Sequence, residues 1–252
     1  MSDAYLAQIL HRETVDTGIF SPARRVQQAL APSVQKWANR FLVSVAPSGS
    51  FAKGTANRCG TDIDLFISLH EDVPDSLAEI YGSLFNRLRD DGYAPRRQNV
   101  SIGVTVGAVK VDLVPGKRQN PYTMDHSLFR SKAGTWTKTN VTTHINQIVL
   151  AGRQRETRVL KLWRNQKGLD FPSFYLELTV IAALARAGVL NSLSENVKLC
   201  LEYIRDNLSR VRVVDPANTN NVISDDLTTV GKTTVERAAA KALGGSWAQF
   251  IQ

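Results

Sequence analysis

Thr61-Asp62-Ile63-Asp64-Leu65-Phe66-Ile67-Ser68-Leu69 is the stretch on which the reading of this chain turns. Ile63, Leu65, Ile67 and Leu69 occupy alternate positions, with Asp62, Asp64 and Ser68 between them and Phe66 as the one exception. That period of two predicts a β-strand with an apolar and a polar face. Residues i and i+2 of a strand project from the same side, so Asp62 and Asp64 point together. Close carboxylates repel and persist as anions mainly when a cation sits between them. Hard carboxylate oxygens suit Mg²⁺. A second β-like run, Val109-Lys110-Val111-Asp112-Leu113-Val114, supplies a third carboxylate, Asp112, if the two strands are neighbours. Three acids can hold two ions about 4 Å apart, an arrangement suited to in-line phosphoryl or nucleotidyl transfer. Asp112, nearest the attacking hydroxyl, would take its proton.

An Asp-x-Asp pair alone is an ordinary feature of solvated strand edges. This one lies in an apolar strand, a short spacer after Ser48-Gly49-Ser50-Phe51-Ala52-Lys53-Gly54-Thr55. A Gly-Ser turn opening a helix offers backbone N–H groups and a hydroxyl to a phosphate.

Outward from this pair the elements follow by period and punctuation. Residues 22–40 begin at Ser21-Pro22 and read as an amphipathic helix, followed by a short strand at 41–45. Downstream come a helix at 74–91, then strands at 100–106 and 108–114, the latter ended by Pro115-Gly116. A sheet of four or five strands results. From about residue 140 the pattern turns helical, with helices expected at 141–151, 154–167, 172–188, 194–209 and 224–243. The fold class is α/β, a sheet lobe followed by a helical lobe.

Composition sets the outer limits. The 252 residues are 43% hydrophobic and 21% charged, the balance of a globular protein, with a formal charge of +8 and a pI near 9.7. An anionic partner is implied. Cys59 and Cys200 are the only cysteines, too few for a disulfide framework. The first ten residues lack the basic start and apolar run of a secretory signal, so a cytoplasmic protein is expected. The most apolar stretch, Phe171 to Leu190, contains Glu177 and Arg186 and reads as a buried helix, with no membrane association.

Taken together, the 48–55 turn, Thr61-Asp62-Ile63-Asp64-Leu65 and Val111-Asp112-Leu113-Val114-Pro115 resemble the polymerase-β-like nucleotidyltransferase superfamily in order and spacing. Within it they look most like the branch of 2′-5′ oligoadenylate synthetases and CD-NTases (cGAS/DncV-like enzymes), over about residues 20–230. The resemblance implies a catalytic α/β lobe at 1–139, including N-terminal helices, and a helical lobe at 140–252 that closes the nucleotide cleft. It implies that Gly49 and Ser50 touch the donor triphosphate and that Asp62, Asp64 and Asp112 bind two Mg²⁺ ions, for which Mn²⁺ could substitute. Arg158-Val159-Leu160-Lys161-Leu162-Trp163 is similar to the family's spine-helix segment, with Lys161 as the lysine that reaches the triphosphate. Phe171-Pro172-Ser173-Phe174-Tyr175 resembles the next helix start, where Ser173 would meet phosphate and Phe174 would stack on a base. The product implied is a short cyclic or linear oligonucleotide messenger made from nucleoside triphosphates for bacterial antiphage defence and sensed by a downstream effector protein. The alternative is template-independent addition of nucleotides to an RNA or DNA 3′ end, or synthesis of linear polymers.

The segment from Lys110 to Asp170 holds twelve Lys or Arg against four acids, an excess equal to the whole net charge. It could track a nucleic-acid strand or line the triphosphate cleft; solvated helix faces are the ordinary alternative. Ser50-Phe51-Ala52-Lys53 also fits the Ser-x-x-Lys signature of serine β-lactamases, but Ser-Asp-Asn and Lys-Thr-Gly partners are missing. Gly231-Lys232-Thr233 has Asp226 where the first glycine of a P-loop belongs. The four histidines show no ligand spacing, and the zinc-binding insertion of the animal sensor is absent.

Overall fold

The computed structural model describes residues 3–59, 62–185 and 192–252. In chain order the first elements are α1 (Asp3–Arg12), α2 (Pro22–Ala38), β1 (Leu42–Pro47), α3 (Gly49–Ala52), β2 (Ile63–Leu69) and α4 (Leu77–Asp90). Then come β3 (Arg96–Arg97), β4 (Ile102–Val106), β5 (Val109–Arg118), β6 (His126–Arg130), β7 (Thr135–Thr139) and α5 (Val141–Ala151). The rest is α6 (Gln154–Gln166), α7 (Ser173–Leu184), α8 (Leu193–Asn207), β8 (Val214–Asp215), β9 (Asn218–Val222), α9 (Thr229–Leu243) and α10 (Trp247–Phe250).

These elements form two compact units. The sheet unit comprises described residues of 16–54 and 60–145; the helical unit comprises those of 1–15, 55–59 and 146–252. The mixed sheet has the order β1-β2-β5-β4-β3, with β6 pairing on the far end of β5 and β7 on β6. β2 and β5 are parallel, and the other pairs are antiparallel. The alternation in 63–69 is realised: Ile63, Leu65, Ile67 and Leu69 are buried in a core with Val26, Leu30 and Val34 of α2 and Ile80, Leu84 and Leu88 of α4. Both helices start where their caps dictate. Ser21 precedes Pro22, and Ser76 with Glu79 closes a full capping box.

Phe66, the exception to the pattern, has its own partners on the other face of the sheet. Its ring meets His126 edge-on at 4.9 Å, and a Cβ at Gly116 would stand 2.6 Å from it. The expected end of β5 at Pro115-Gly116 is corrected: the strand runs on to Arg118. Its last β4 partner is Ile102 opposite Leu113, so Pro115 needs no N–H for that ladder. Gly116 stays in the strand because only a glycine fits beneath Phe66. Lys117 and Arg118 then pair with β6, so the β6–β7 hairpin extends a sheet expected to have four or five strands to seven.

His126 is buried beside Phe66, with Nε2 2.8 Å from Ser68 Oγ and Nδ1 2.9 Å from the Met124 carbonyl. The carbonyl can only accept, so Nδ1 carries the proton and Nε2 accepts from the serine. Burial holds the His126 pKa below its ordinary value. The unfolded chain therefore binds a proton that the folded chain refuses, and stability falls as pH drops below about 6.5. His126→Gln is expected to be less stable than wild type at pH 7.5 but to lose less of its stability on going to pH 5.5. Parallel declines in the urea midpoints of the two proteins would rule out the histidine as the source.

In the helical unit, α7 is buried on nearly every side from Tyr175 to Val180, as expected of a helix apolar all round. Its expected extension through 186–188 lies outside the described residues. It packs with Leu160 and Trp163 of α6, Val197 and Leu201 of α8, and Leu6 and Ile9 of α1. The Tyr175 hydroxyl donates to the Leu208 carbonyl at 3.2 Å, and burial pushes its pKa up to about 12. The helix expected at 224–243 begins at Thr229, capped by Thr228; Ile223–Asp226 is a 3₁₀ turn. Before it, β8 and β9 form a small hairpin in which Asp215 accepts from Ala217 N–H and Asn221 Nδ2. No described helix is long and apolar enough to cross a membrane.

Candidate active site

The register of the two parallel strands builds the site. Ile63 lies opposite Val111, Asp64 opposite Asp112, and Leu65 opposite Leu113. Registered partners on neighbouring strands project to the same side, about 4.8 Å apart. Ile63, Leu65, Val111 and Leu113 all face the core, so Asp64 and Asp112 share the other face. Asp62, one residue before β2, is exposed, whereas Asp64 and Asp112 are half-buried. Burial, and after it the charge of Asp62, push the Asp112 carboxyl above the usual carboxylate range, against hydrogen bonds from Gln98 and Ser101 and the nearby charge of Arg96. Two carboxylates thus share one face, and Asp62 is near enough for its charge to bear on Asp112. Among the described residues no three or more His, Cys, Asp and Glu side chains are arranged as they stand to hold a metal ion. The donor set itself, all hard oxygens with repelling charges, is what a divalent cation of the Mg²⁺ type would need.

The turn after β1 brings backbone to the same face. Ser48 N–H donates to the Asp64 carbonyl at 2.8 Å, which fixes the start of α3 against β2. Gly49 adopts φ +55°, and a Cβ there would lie 1.7 Å from Asp64 Oδ2. No other residue lets the chain pass so close to the carboxylate. Beside it is a cavity of about 210 Å³, lined by Gly49, Lys53, Asp64, Thr139 and His144 among others. Lys53, Thr139 and His144 were not marked by the sequence reading; the last two lie at the end of β7 and in α5, and no local pattern ties them to the aspartates.

Ser173, Phe174 and Lys161 belong to the helical unit. Ser173 is exposed at the first turn of α7 and accepts from Arg164 Nη1 at 2.9 Å. Phe174 is partly buried and packs against the helical core. Lys161 is turned inward: its Nζ donates to Glu177 Oε1 at 2.6 Å and to Thr55 Oγ1 at 2.9 Å. The basic segment is also drawn into internal bonding. Lys117 reaches the Val73 carbonyl, Lys138 reaches Asp125, Arg158 reaches the Leu10 and Glu13 carbonyls, Arg164 reaches the Phe171 carbonyl and Lys167 the Gln249 carbonyl.

The chain matches the solved structure of the Bradyrhizobium diazoefficiens CD-NTase CdnG in complex with GTP at a TM-score of 0.78, with 16% identity, over 98% of this chain and 91% of that one. It matches the Cid1 poly(U) polymerase at 0.71, with 11% identity, over 96% and 93%. The chain has the polymerase-β-like nucleotidyltransferase fold. Among curated sequences, the chain is 26% identical over 227 residues to a cyclic AMP-AMP-AMP synthase of Escherichia coli strain MS 115-1, covering 81% of the chain and 70% of the relative. No protein-family model matches it. Sequence and fold comparisons both return nucleotidyltransferases, the class that the motifs of this chain resemble.

Proposed function

We propose that this chain is a Mg²⁺-dependent nucleotidyltransferase that joins nucleoside triphosphates into a short oligonucleotide messenger of bacterial antiphage defence, read by a downstream effector protein. The observation that carries the reading is the side-by-side register of Asp64 and Asp112, with the charge of Asp62 acting on Asp112 and the Gly49 turn closed against Asp64. Asp62 and Asp64 would each hold both of two Mg²⁺ ions and Asp112 one; when bound, the ions lower the pKa of the acceptor hydroxyl and offset charge on the triphosphate. Backbone N–H groups after Gly49 and the Ser50 hydroxyl bind triphosphate oxygens. Asp112 accepts the proton of the acceptor hydroxyl. Ser173 and Phe174 carry the nucleotide contacts expected of the helical unit, the ring stacking on a base. Likeness to a cyclic AMP-AMP-AMP synthase favours a cyclic product.

A second reading, addition of nucleotides to an RNA 3′ end, is favoured by the likeness to the poly(U) polymerase fold. Incubation with each labelled NTP and dNTP, followed by sizing and phosphatase treatment, separates the two. A small phosphatase-resistant product is expected. A ladder means linear polymerisation, and a requirement for added RNA or DNA ends the messenger reading.

A further inference from the structure

Asp112 has a neighbour that the reaction drawn above does not use. Gln98 Nε2 donates to Asp112 Oδ1 at 2.7 Å, and the other end of the amide is fixed by Ser101 Oγ, which donates to Gln98 Oε1 at 3.1 Å. With its oxygen engaged by the serine, the amide presents only its nitrogen to the carboxylate. The backbone beneath is fixed as well. Gln98 N–H bonds the Ser101 carbonyl at 3.0 Å, and the Tyr81 hydroxyl lies 2.9 and 2.8 Å from the Gln98 and Ser101 carbonyls.

The space for this contact comes from Gly103, which faces Asp112 across the β4–β5 pair. A Cβ at that position would meet Gln98 Nε2 at 2.8 Å and Asp112 Oδ1 at 3.2 Å. A glycine inside a strand weakens it and marks a place where another group must come close. Here the group is the Gln98 amide, reaching over β4 to β5.

We propose that Gln98 is a positioning residue for Asp112, holding Oδ1 so that the carboxylate keeps one rotation toward the face it shares with Asp64. The inference rests on the reading of Asp112 as base and cation ligand. Groups that orient a ligating or proton-accepting carboxylate typically account for about 10- to 100-fold in activity or metal affinity. Serine, tyrosine and glycine are then parts of one support whose contact with the reacting atoms runs through Asp112 alone.

The test uses Gln98→Leu, which keeps the bulk and removes the amide, and Gly103→Ala, which keeps the amide and crowds it out. Each is made in the wild-type and the Asp112→Ala backgrounds. Three quantities are measured: kcat and KM for the donor triphosphate, Mn²⁺ affinity by electron paramagnetic resonance without nucleotide, and the urea midpoint. In the wild-type background both variants should lose about 10- to 100-fold in kcat and about tenfold in Mn²⁺ affinity, with donor KM unchanged to within about twofold. In the Asp112→Ala background the same substitutions should change Mn²⁺ affinity no further, because the amide has nothing left to orient. The proposal is overturned if Gln98→Leu keeps wild-type kcat and Mn²⁺ affinity, if it weakens Mn²⁺ equally in both backgrounds, or if the wild-type chain binds no Mn²⁺. A wild-type chain that binds Mn²⁺ through the Gln98–Asp112 coupling but turns over no nucleotide would sustain the positioning role and overturn the reaction assigned above.

Discussion

Asp64→Asn is expected to stop pyrophosphate release from every nucleoside triphosphate while leaving the fold in place. Asp64 stands beside Asp112 through strand register, and Gly49 closes against its carboxylate, so the charge lies where backbone, neighbouring acid and cation would meet. Asparagine keeps the shape and removes the charge. A bound divalent ion stabilises the transition state by several kcal/mol. At 1.36 kcal/mol for each factor of ten, losing a shared ligand should cost about 10³-fold or more in kcat. The strand has supports apart from the carboxylate: the Ser48 N–H bonds the main-chain carbonyl of Asp64, and the core side of β2 is made by Ile63, Leu65, Ile67 and Leu69. Removing one of three repelling charges should leave the urea midpoint unchanged or slightly higher when no metal is present. Asp62→Asn should show the same loss of turnover. A coupled pyrophosphate assay in Mg²⁺ checks both, and turnover within tenfold of wild type would reject the metal assignment.

The β2 strand was legible because its period is local and complete. Alternation over seven residues fixes which side chains face the helix-packed core, and with it the direction of Asp64; Phe66 and Ser68, also buried, lie on the other face. Asp112 needed one more fact, the pairing of β2 with β5, which no pattern in either strand states; the order of the motifs supplied it only by resemblance. Reading Pro115-Gly116 as a stop concealed the most. A proline is a breaker only where its missing N–H is needed, and that depends on how far β4 extends. Ending β5 there also hid the β6–β7 hairpin, which is built on Lys117 and Arg118.

Residues 3–15 and 55–59 join the helical unit through contacts that sequence cannot display, since their partners are more than a hundred residues away. Asn57 exchanges hydrogen bonds with the Arg158 side chain and carbonyl, and Arg158 reaches back to the Leu10 and Glu13 carbonyls. Gln98 was equally silent. A glutamine before a strand is unremarkable until the strand's glycine is seen to make room for it. The lone glycine in Ile102–Val106 was the one mark on the sequence that pointed there.

Lys161→Met is expected to destabilise the protein by about 3–5 kcal/mol, because it leaves Glu177 charged and buried without its cation. The two side chains are 6% and 1% exposed, and Nζ to Oε1 is 2.6 Å. Thr55 closes the triangle, donating to the same Oε1 at 2.7 Å while accepting from the lysine. A buried carboxylate that loses the ammonium bonded to it is costly, whereas the pair together can be replaced by apolar groups at little or no cost. The double variant Lys161→Met/Glu177→Leu should therefore recover most of the stability that the single variant loses, read as urea midpoints. The resemblance assigned this lysine to the donor triphosphate, which predicts the opposite pattern: an unchanged midpoint for Lys161→Met and a raised donor KM. The outcomes separate because a cation committed to Glu177 is worth most in the folded chain without nucleotide, and a cation committed to phosphate is worth nothing until nucleotide arrives. A wild-type midpoint in Lys161→Met would mean that Glu177 is satisfied without the lysine and would return Lys161 to the nucleotide. Loss of stability rescued by Glu177→Leu would identify the lysine as part of the packing that holds Thr55 in the helical unit.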